Sequence, residues 1–381
     1  MQRLAQELSR LRSASRHRSL SLPRGIDFTS NDYLGLSGHP ELRRAVVDWI
    51  EAGGTAGASG SRLLRGHQSA HAELEAFAAG FFGCERALYF STGFLANLAL
   101  FTTLPDRRDV VVYDERVHAS VKEGVHAGHA KLYRVKHNDV DGFEDAIVRA
   151  RRGGARDVWL AVESVYSMDG DIAPVADLHA LACTHDAVLI VDEAHSTGIF
   201  GPTGRGFSEG RYDERLIVLH TCGKALGVAG GLVCGPAVAI DYLINAARPF
   251  IYSTAPPPYV ARAVHRALEL IDEEPERRSR LLALMAFATE RLALRAGSVV
   301  AAAGTQIIPV ILGAESTAMA AAAALQRAGF DVRAIRPPTV PAGTSRLRIS
   351  IGADRSEDEI VALADALAKV LPAFAEGKVP A

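Results

Sequence analysis

Lys224 follows an apolar run, and that position raises the first chemical question. Leu216-Ile-Val-Leu219 is four aliphatic residues in succession, the composition of a strand buried on both faces within a parallel sheet. Thr221, Cys222 and Gly223 then carry the chain past the strand's carboxyl end to the lysine. In open α/β sheets ligands bind at that edge, and an amine desolvated there loses its proton and becomes a nucleophile. A solvated lysine in a surface loop is the plain alternative. A second run, Ala187-Val-Leu-Ile-Val191, leads directly into Asp192-Glu-Ala-His195. A carboxylate at the tip of a buried strand is costly without a partner, so it either caps a helix or serves chemistry. D-E-A-H also occurs in helicases, but that reading needs a phosphate loop of the form G-x-x-x-x-G-K-[ST]. Val218 stands where its first glycine belongs and Ala225 follows Lys224, which excludes it.

Other stretches carry polar groups to similar places. Ser91-Thr-Gly-Phe-Leu-Ala-Asn97 follows a strand-like run and opens a helix. Backbone N–H groups at such a start, with Gly93 allowing close approach, suit a phosphate monoester; a plain N-cap at Ser91 or Thr92 would have the same sequence. His118 comes shortly after the run Val110–Tyr113, again at a carboxyl end. Ser345-Arg-Leu-Arg-Ile-Ser-Ile351 alternates, so Arg346 and Arg348 share one face. Guanidinium groups grip carboxylates in a bidentate fork, and Pro337-Pro-Thr-Val-Pro341 beside them favours a shaped pocket over a solvated strand face. Thr221-Cys-Gly-Lys224 has the spacing of an S/T-x-x-K acyl-enzyme, but no K-T-G element accompanies it, leaving a hydrolase the weaker class. His67/His71 and His126/His129 imitate metal-ligand spacing without a cysteine or carboxylate pattern, so no metal is expected. A lysine, a strand-end acid, an imidazole, a helix-start cradle and an arginine clamp are the set that pyridoxal 5′-phosphate requires. The lysine holds its aldehyde as a Schiff base and the helix start takes the phosphate. The acid keeps the pyridine nitrogen protonated, so that the ring accepts electrons from a substrate carbanion.

The elements that must position these groups alternate. Strand-like runs at 87–90, 110–113, 131–135, 158–162, 187–191, 216–219 and 230–235 are mostly separated by helical stretches such as 141–151 and 175–184. That rhythm predicts a mostly parallel sheet covered by helices on both faces. The Gly- and Ser-dense segment 53–66, carrying Arg62 and Arg65, is expected as a loop with close backbone approaches before a helix over 67–82. After Ala255-Pro-Pro-Pro258 a helical stretch runs to about residue 296. Strands at 306–312, 331–336 and 346–351 with helices at 316–328 and 357–373 then form a small α+β domain. Leu4, Leu8 and Leu11 fall at helical spacing, so the start of the chain reads as an amphipathic helix packing on the body; its arginines and serines make a transit peptide the weaker option. The boundaries are 1–35 for this helix and an extended segment, 36–275 for the large domain and 276–381 for the small C-terminal one.

The whole chain narrows the classes further. Its 381 residues hold a large core, and 48% hydrophobic with 23% charged residues is ordinary for a globular protein. A formal charge of -2 gives no reason to expect nucleic acid or an anionic membrane as partner. The four cysteines form no C-x-x-C pair, which fits a reducing, cytoplasmic setting. No apolar run approaches the roughly 18–20 residues of a membrane span.

In combination, Ser30-Asn-Asp-Tyr-Leu-Gly35, Ser91–Asn97, Val165-Tyr-Ser-Met-Asp-Gly-Asp171, Val191–His195, Thr221–Lys224 and Ile335–Thr344 resemble the α-oxoamine synthases, nearly end to end. These are fold-type I pyridoxal-phosphate enzymes that condense an amino acid with an acyl-CoA. The resemblance implies Lys224 as the Schiff-base lysine, Asp192 as partner of the ring nitrogen, His195 and Ser167 at the ring's phenolic oxygen, and His118 stacked on the ring. Gly93, Phe94 and Thr221 would surround the phosphate, with Thr254 in the same cofactor set. Arg348, helped by Asn31, would hold the amino acid's carboxylate; Thr339 would sit near the acyl chain, and Arg18 is the candidate for the acyl carboxylate. Cys222 departs from the aromatic residue more usual before Gly-Lys, a change of packing beneath the cofactor. Ile335-Arg-Pro-Pro-Thr-Val-Pro341 most resembles the branch in biotin biosynthesis that uses L-alanine and pimeloyl-CoA or pimeloyl-carrier protein. The branches using glycine with acetyl-CoA or succinyl-CoA, or serine with palmitoyl-CoA, usually differ there. The family is homodimeric with sites at the interface, which would make the 53–66 loop a contribution from the partner subunit. A cofactor-free binding protein on the same fold is the alternative from another class.

Overall fold

The computed structural model describes residues 1–296, 300 and 304–371. Its contacts divide the chain into two compact units, one of Leu34–Tyr166 with Ile172–Arg278, the other of Met1–Tyr33, Ser167–Asp171 and the described residues from Ser279 on.

The first unit is built on seven strands: β1 (Arg86–Phe90), β2 (Val110–Asp114), β3 (Lys131–Val135), β4 (Val158–Glu163), β5 (Val188–Asp192), β6 (Leu216–Thr221) and β7 (Gly231–Gly235). They lie in the order β1-β7-β6-β5-β4-β2-β3, and β7 alone runs against its neighbours. Apart from the edge strand β3, where only Val135 is buried, their apolar runs are buried, as expected of a sheet covered on both faces. Register sets the working edge, because Asp192 pairs with Glu163 on one side and with Leu219 on the other. The carboxyl end of β5 is thereby brought beside that of β6.

Two helices carry residues to this edge, Gly93–Thr103 and Ala119–Ala127. They cross closely because Gly124 has no side chain: a Cβ there would stand 3.0 Å from Phe101 Cβ and 3.1 Å from the Asn97 carbonyl. The glycines of β7 act in the same way, since a Cβ on Gly231 would lie 3.0 Å from Gly93 Cα. The expected loop over 53–66 closes in a five-residue π turn, Arg62–Gly66. Arg62 there is buried and donates to Glu75 at 2.9 Å and to the Tyr89 carbonyl at 3.3 Å. The long helical stretch after Pro258 is two helices, Pro258–Glu273 and Pro275–Ala296, because proline at 275 cannot continue the first.

The second unit holds an antiparallel sheet of β8 (Ile307–Gly313), β9 (Arg333–Ile335) and β10 (Ser345–Ser350), in the order β9-β10-β8. Helices Glu315–Arg327 and Glu357–Val370 accompany it; residues 372 and 373 of the expected second helix lie outside the described residues. The segment before residue 34 belongs here, through a two-residue parallel ladder of Ile26–Asp27 with Phe330–Asp331. The leading helix forms over Gln2–Ser13, but it does not pack as expected. None of its residues is buried, and Leu4 and Leu8 are 49% and 44% exposed. The contacts fall just after it, where Arg336 donates to the carbonyls of Ser15 and His17 and Arg16 pairs with Glu315.

One buried imidazole in the large sheet makes stability depend on pH. His220, on β6, stacks on Phe82 at 3.6 Å, with Thr197 Oγ1 2.8 Å from Nδ1 and Tyr212 OH 2.8 Å from Nε2. Complete burial drives its pKa down to about 3, whereas the unfolded chain takes up that proton near about 6.5. The unfolded state thus binds the extra proton, and His220's share of stability declines as pH falls from about 6.5 towards 3, at about 1.4 kcal/mol per pH unit. Urea unfolding between pH 7 and 5 should show that slope, and His220→Gln should reduce it by about one proton. An unchanged slope would exclude His220 as a source.

Candidate active site

In the first unit the strand-end groups are held by a dense set of hydrogen bonds. Asp192 is 6% exposed; its Oδ1 accepts from the Ala194 N–H at 2.9 Å and its Oδ2 from Asn97 Nδ2 at 2.7 Å. The turn that follows is anchored by Glu193, a residue with no expected role. Its fully buried carboxyl accepts from the N–H and hydroxyl of Ser208 at 2.8 and 2.7 Å, from the Phe207 N–H at 3.1 Å, from the Ser164 hydroxyl at 2.9 Å, and from Ser196. Burial raises the Glu193 pKa while these donors pull it back. The anchored turn sets His195, 3% exposed, with Nε2 2.9 Å from Lys224 Nζ.

Lys224 is half-buried in a tight loop after β6. The loop is pinned by Cys222 N–H to the Gly230 carbonyl, Val228 N–H to the Cys222 carbonyl, and Gly227 N–H to the Lys224 carbonyl, at 2.9, 3.0 and 2.8 Å. Cys222 is fully buried beneath it. His118 caps the helix Ala119–Ala127, and its Nδ1 lies 3.2 Å from the Ser120 N–H and 2.8 Å from the Ser120 hydroxyl. Desolvation, then the charge of Lys224, hold His118 below the usual imidazole range against the opposing pull of Asp192. His118 is therefore within electrostatic reach of both Asp192 and Lys224.

The helix start completes this cluster. Thr92 caps Gly93–Thr103 by accepting from the Leu95 N–H at 3.1 Å, while the other first-turn N–H groups have no partner within the helix. A Cβ on Gly93 would stand 2.7 Å from Thr221 Oγ1, so only glycine lets the helix start lie against that hydroxyl. Phe94 is 45% exposed beside it. Thr254 is exposed, bridges to Ser61, and lines a small cavity with Ser91 and Leu95.

In the second unit Arg348 is 7% exposed and donates to the Ser167 carbonyl at 2.6 Å, Ser350 Oγ at 2.9 Å and Tyr33 OH at 3.1 Å. Tyr33 in turn donates to Asn31 Oδ1 at 2.9 Å. Asn31 thus meets Arg348 through the buried Tyr33 of the Ser30–Gly35 motif, a residue with no expected role. Arg346 shares the face of Arg348 but is committed elsewhere, to Asp169 and to the carbonyls of Thr344 and Met168. Ser167 is buried in this unit. Arg18 Nη2 lies 3.5 Å from Thr339 Oγ1, which brings together the two residues assigned to the acyl group.

Of the histidines at metal-like spacing, His71 Nε2 lies 2.9 Å from the Pro256 carbonyl, His67 Nδ1 accepts from Arg62, and His126 Nδ1 lies 2.7 Å from the Lys122 carbonyl. Among the described residues one cluster has three metal-type donors: His179 and Cys183 both meet Asp213 Oδ2, at 3.0 and 3.6 Å.

A family model for class I and II aminotransferases matches residues 23–367. An 8-amino-7-oxononanoate synthase of Aromatoleum aromaticum is 43% identical over 344 residues, 90% of this chain and 88% of that protein. One of Burkholderia mallei is 44% identical over 359 residues, 92% of this chain and 90% of its own length. The chain belongs to the 8-amino-7-oxononanoate synthase family of class I and II aminotransferases. A solved member of that family from Francisella tularensis superposes with a TM-score of 0.78 at 30% identity, covering 91% of this chain and 98% of its own. A serine palmitoyltransferase from S. paucimobilis with bound PLP and myriocin gives 0.88 at 29% identity, with 98% of each chain covered. Both belong to fold type I, the expected class, and the family depends on pyridoxal phosphate. The residues here fit that group: an acceptor-only carboxylate at a strand end, an amine beyond the next strand, and a helix start kept open by Gly93 against Thr221.

Proposed function

We propose that this protein catalyses the decarboxylative condensation of L-alanine with pimeloyl-CoA, or with a pimeloyl-carrier protein, in biotin biosynthesis. The thioester's acyl carbon joins the α-carbon of alanine, and the thiol and carbon dioxide leave. The observation that carries the reading is the meeting of Lys224 Nζ with His195 Nε2 at 2.9 Å, beside the strand end bearing Asp192. Pyridoxal phosphate, when bound, supplies an electron sink at the amino acid's α-carbon. Lys224 would hold it covalently, Asp192 would face its ring nitrogen, His195 and Ser167 its phenolic oxygen, and Gly93, Phe94, Thr221 and Thr254 its phosphate. As a free amine, Lys224 would take the α-proton at Nζ, with His195 in reach to pass that proton on. His118 would cover the ring and polarise the thioester carbonyl. Arg348, steadied by Tyr33 and Asn31, grips the alanine carboxylate. Arg18 and Thr339 receive the far end of the acyl chain.

Relatives 43–44% identical over about nine-tenths of the chain carry the name of the alanine and pimeloyl branch, which supports that branch. Solved structures of the two branches, at 30% and 29% identity, do not separate them, and a TM-score reports backbone path, which branches of one fold share. Release of thiol across a matrix of amino acids and acyl donors tests the choice. Alanine with pimeloyl-CoA or its carrier-protein form should exceed glycine with acetyl- or succinyl-CoA by about 100-fold in kcat/KM. A short donor winning with glycine would overturn the branch. We further assign a cytoplasmic homodimer: Leu63, Leu64 and Tyr252 are 51%, 80% and 73% exposed, apolar surface that a second copy would cover.

A further inference from the structure

Four groups of the first unit, Asp192, Asn97 and Ser120 buried and His118 exposed, form a chain with a fixed direction. Asp192 Oδ2, an acceptor when ionised, takes a hydrogen from Asn97 Nδ2 at 2.7 Å, which fixes which end of the Asn97 amide faces it. The second hydrogen of the same Nδ2 goes to Ser120 Oγ at 2.9 Å. Ser120 is thereby an acceptor towards Asn97, and its own hydrogen is available to the atom 2.8 Å away, His118 Nδ1. The Ser120 backbone N–H, 3.2 Å from the same nitrogen, has only a donor to offer. Two donors converge on Nδ1, so a hydrogen there is disfavoured. Asn97 and Ser120 are 1% and 2% exposed, which keeps water from offering an alternative partner. The side-chain oxygen of Asn97, Oδ1, is buried with no hydrogen-bond partner, a cost that a residue serving only to fill space would avoid.

We propose that Asn97 and Ser120 are positioning residues that transmit the polarity of Asp192 to His118 and hold its ring as the neutral tautomer protonated at Nε2. His118 then faces the reacting groups as a hydrogen-bond donor and not as a base. A donor stabilises an oxygen that gains negative charge, the need of a thioester carbonyl under attack by a carbanion, and it leaves proton abstraction to Lys224. This use of the donor rests on the proposed condensation; the tautomer does not.

Nitrogen-15 NMR of histidine-labelled protein without cofactor reads the tautomer directly, with His118→Asn identifying the signals. His118 should show a bare Nδ1 and a protonated Nε2 at neutral pH. In Ser120→Ala the two nitrogen shifts should move towards each other as the other tautomer becomes populated, and Ser120→Thr, which keeps the hydroxyl, should restore them. With cofactor and substrates, Ser120→Ala should lose about tenfold in kcat/KM for the thioester with KM for the amino acid unchanged. A hydrogen on Nδ1 in the parent protein, or shifts unaltered in Ser120→Ala, would overturn the proposal whatever the substrate proves to be. Failure of the substrate matrix with the NMR signature intact would overturn the reaction alone.

Discussion

Lys224→Ala is expected to yield a folded protein without the visible absorbance band of the cofactor-loaded parent and with turnover lower by about 10⁴-fold or more. Two functions are lost together, because the amine both tethers the cofactor and takes the α-proton. The fold should survive. Lys224 is half-buried in a loop whose three pinning hydrogen bonds are all backbone to backbone, and Cys222, the fully buried residue of that loop, is untouched. A thermal midpoint within a few degrees of the parent's separates loss of chemistry from loss of structure. The two functions separate in a second measurement, since small primary amines added to Lys224→Ala loaded with cofactor should restore part of the rate by supplying a proton acceptor. Lys224→Arg should not be rescued, because its guanidinium fills the space and stays protonated. A Lys224→Ala protein that keeps both the band and the parental rate would place the chemistry elsewhere.

Much of the first unit was legible in the sequence because each strand's signal is local. Runs such as Val110–Tyr113 and Leu216–Leu219 are apolar on both faces, and nothing but a doubly covered sheet accommodates them. The ends of the runs then pointed to Asp192, His195, His118 and Lys224, which the fold places within electrostatic or hydrogen-bond reach. The partners of those residues were much less legible. Asn97 reaches Asp192 across 95 positions and Tyr33 reaches Arg348 across 315, distances over which no periodicity speaks. Asn97 and Tyr33 both lie inside the motifs Ser91–Asn97 and Ser30–Gly35, but a motif does not say which of its members touches which. Glu193 shows the same limit. One residue from Asp192, it turns away from the site to accept hydrogen bonds from Ser164, Ser196 and Ser208, a task that cannot be told from catalysis until the serines are in place. The leading helix failed for another reason: its leucine spacing gives an apolar stripe but names no surface to cover it, and Leu4 and Leu8 stay exposed. Arg346 and Arg348 share a strand face, yet only the tertiary fold commits the first to Asp169.

Asp192→Ala is expected to cost about 10³-fold in kcat while leaving the covalent link to Lys224 and its visible band in place. A carboxylate beside a buried cationic nitrogen typically raises that nitrogen's pKa by about three units, worth about 4 kcal/mol, and this proton is what lets the ring draw electrons from the substrate. Asp192→Asn should be no milder despite its matching shape. Both Asp192 oxygens accept from fixed donors, the Ala194 N–H and Asn97 Nδ2, so either placement of the new amide sets an NH2 group against an N–H. That mismatch should lower stability by about 1–3 kcal/mol in addition to the catalytic loss, which urea unfolding without cofactor would show. Asp192→Glu keeps the charge and should recover part of the rate. The band adds a readout independent of turnover. Without the carboxylate the ring nitrogen is bare at neutral pH, so the band of Asp192→Ala should move when pH is lowered through the range in which a solvated pyridine takes up its proton, where the parent's does not. A band that responds to pH as the parent's does, with kcat within tenfold of the parent's, would remove Asp192 from the role of ring partner.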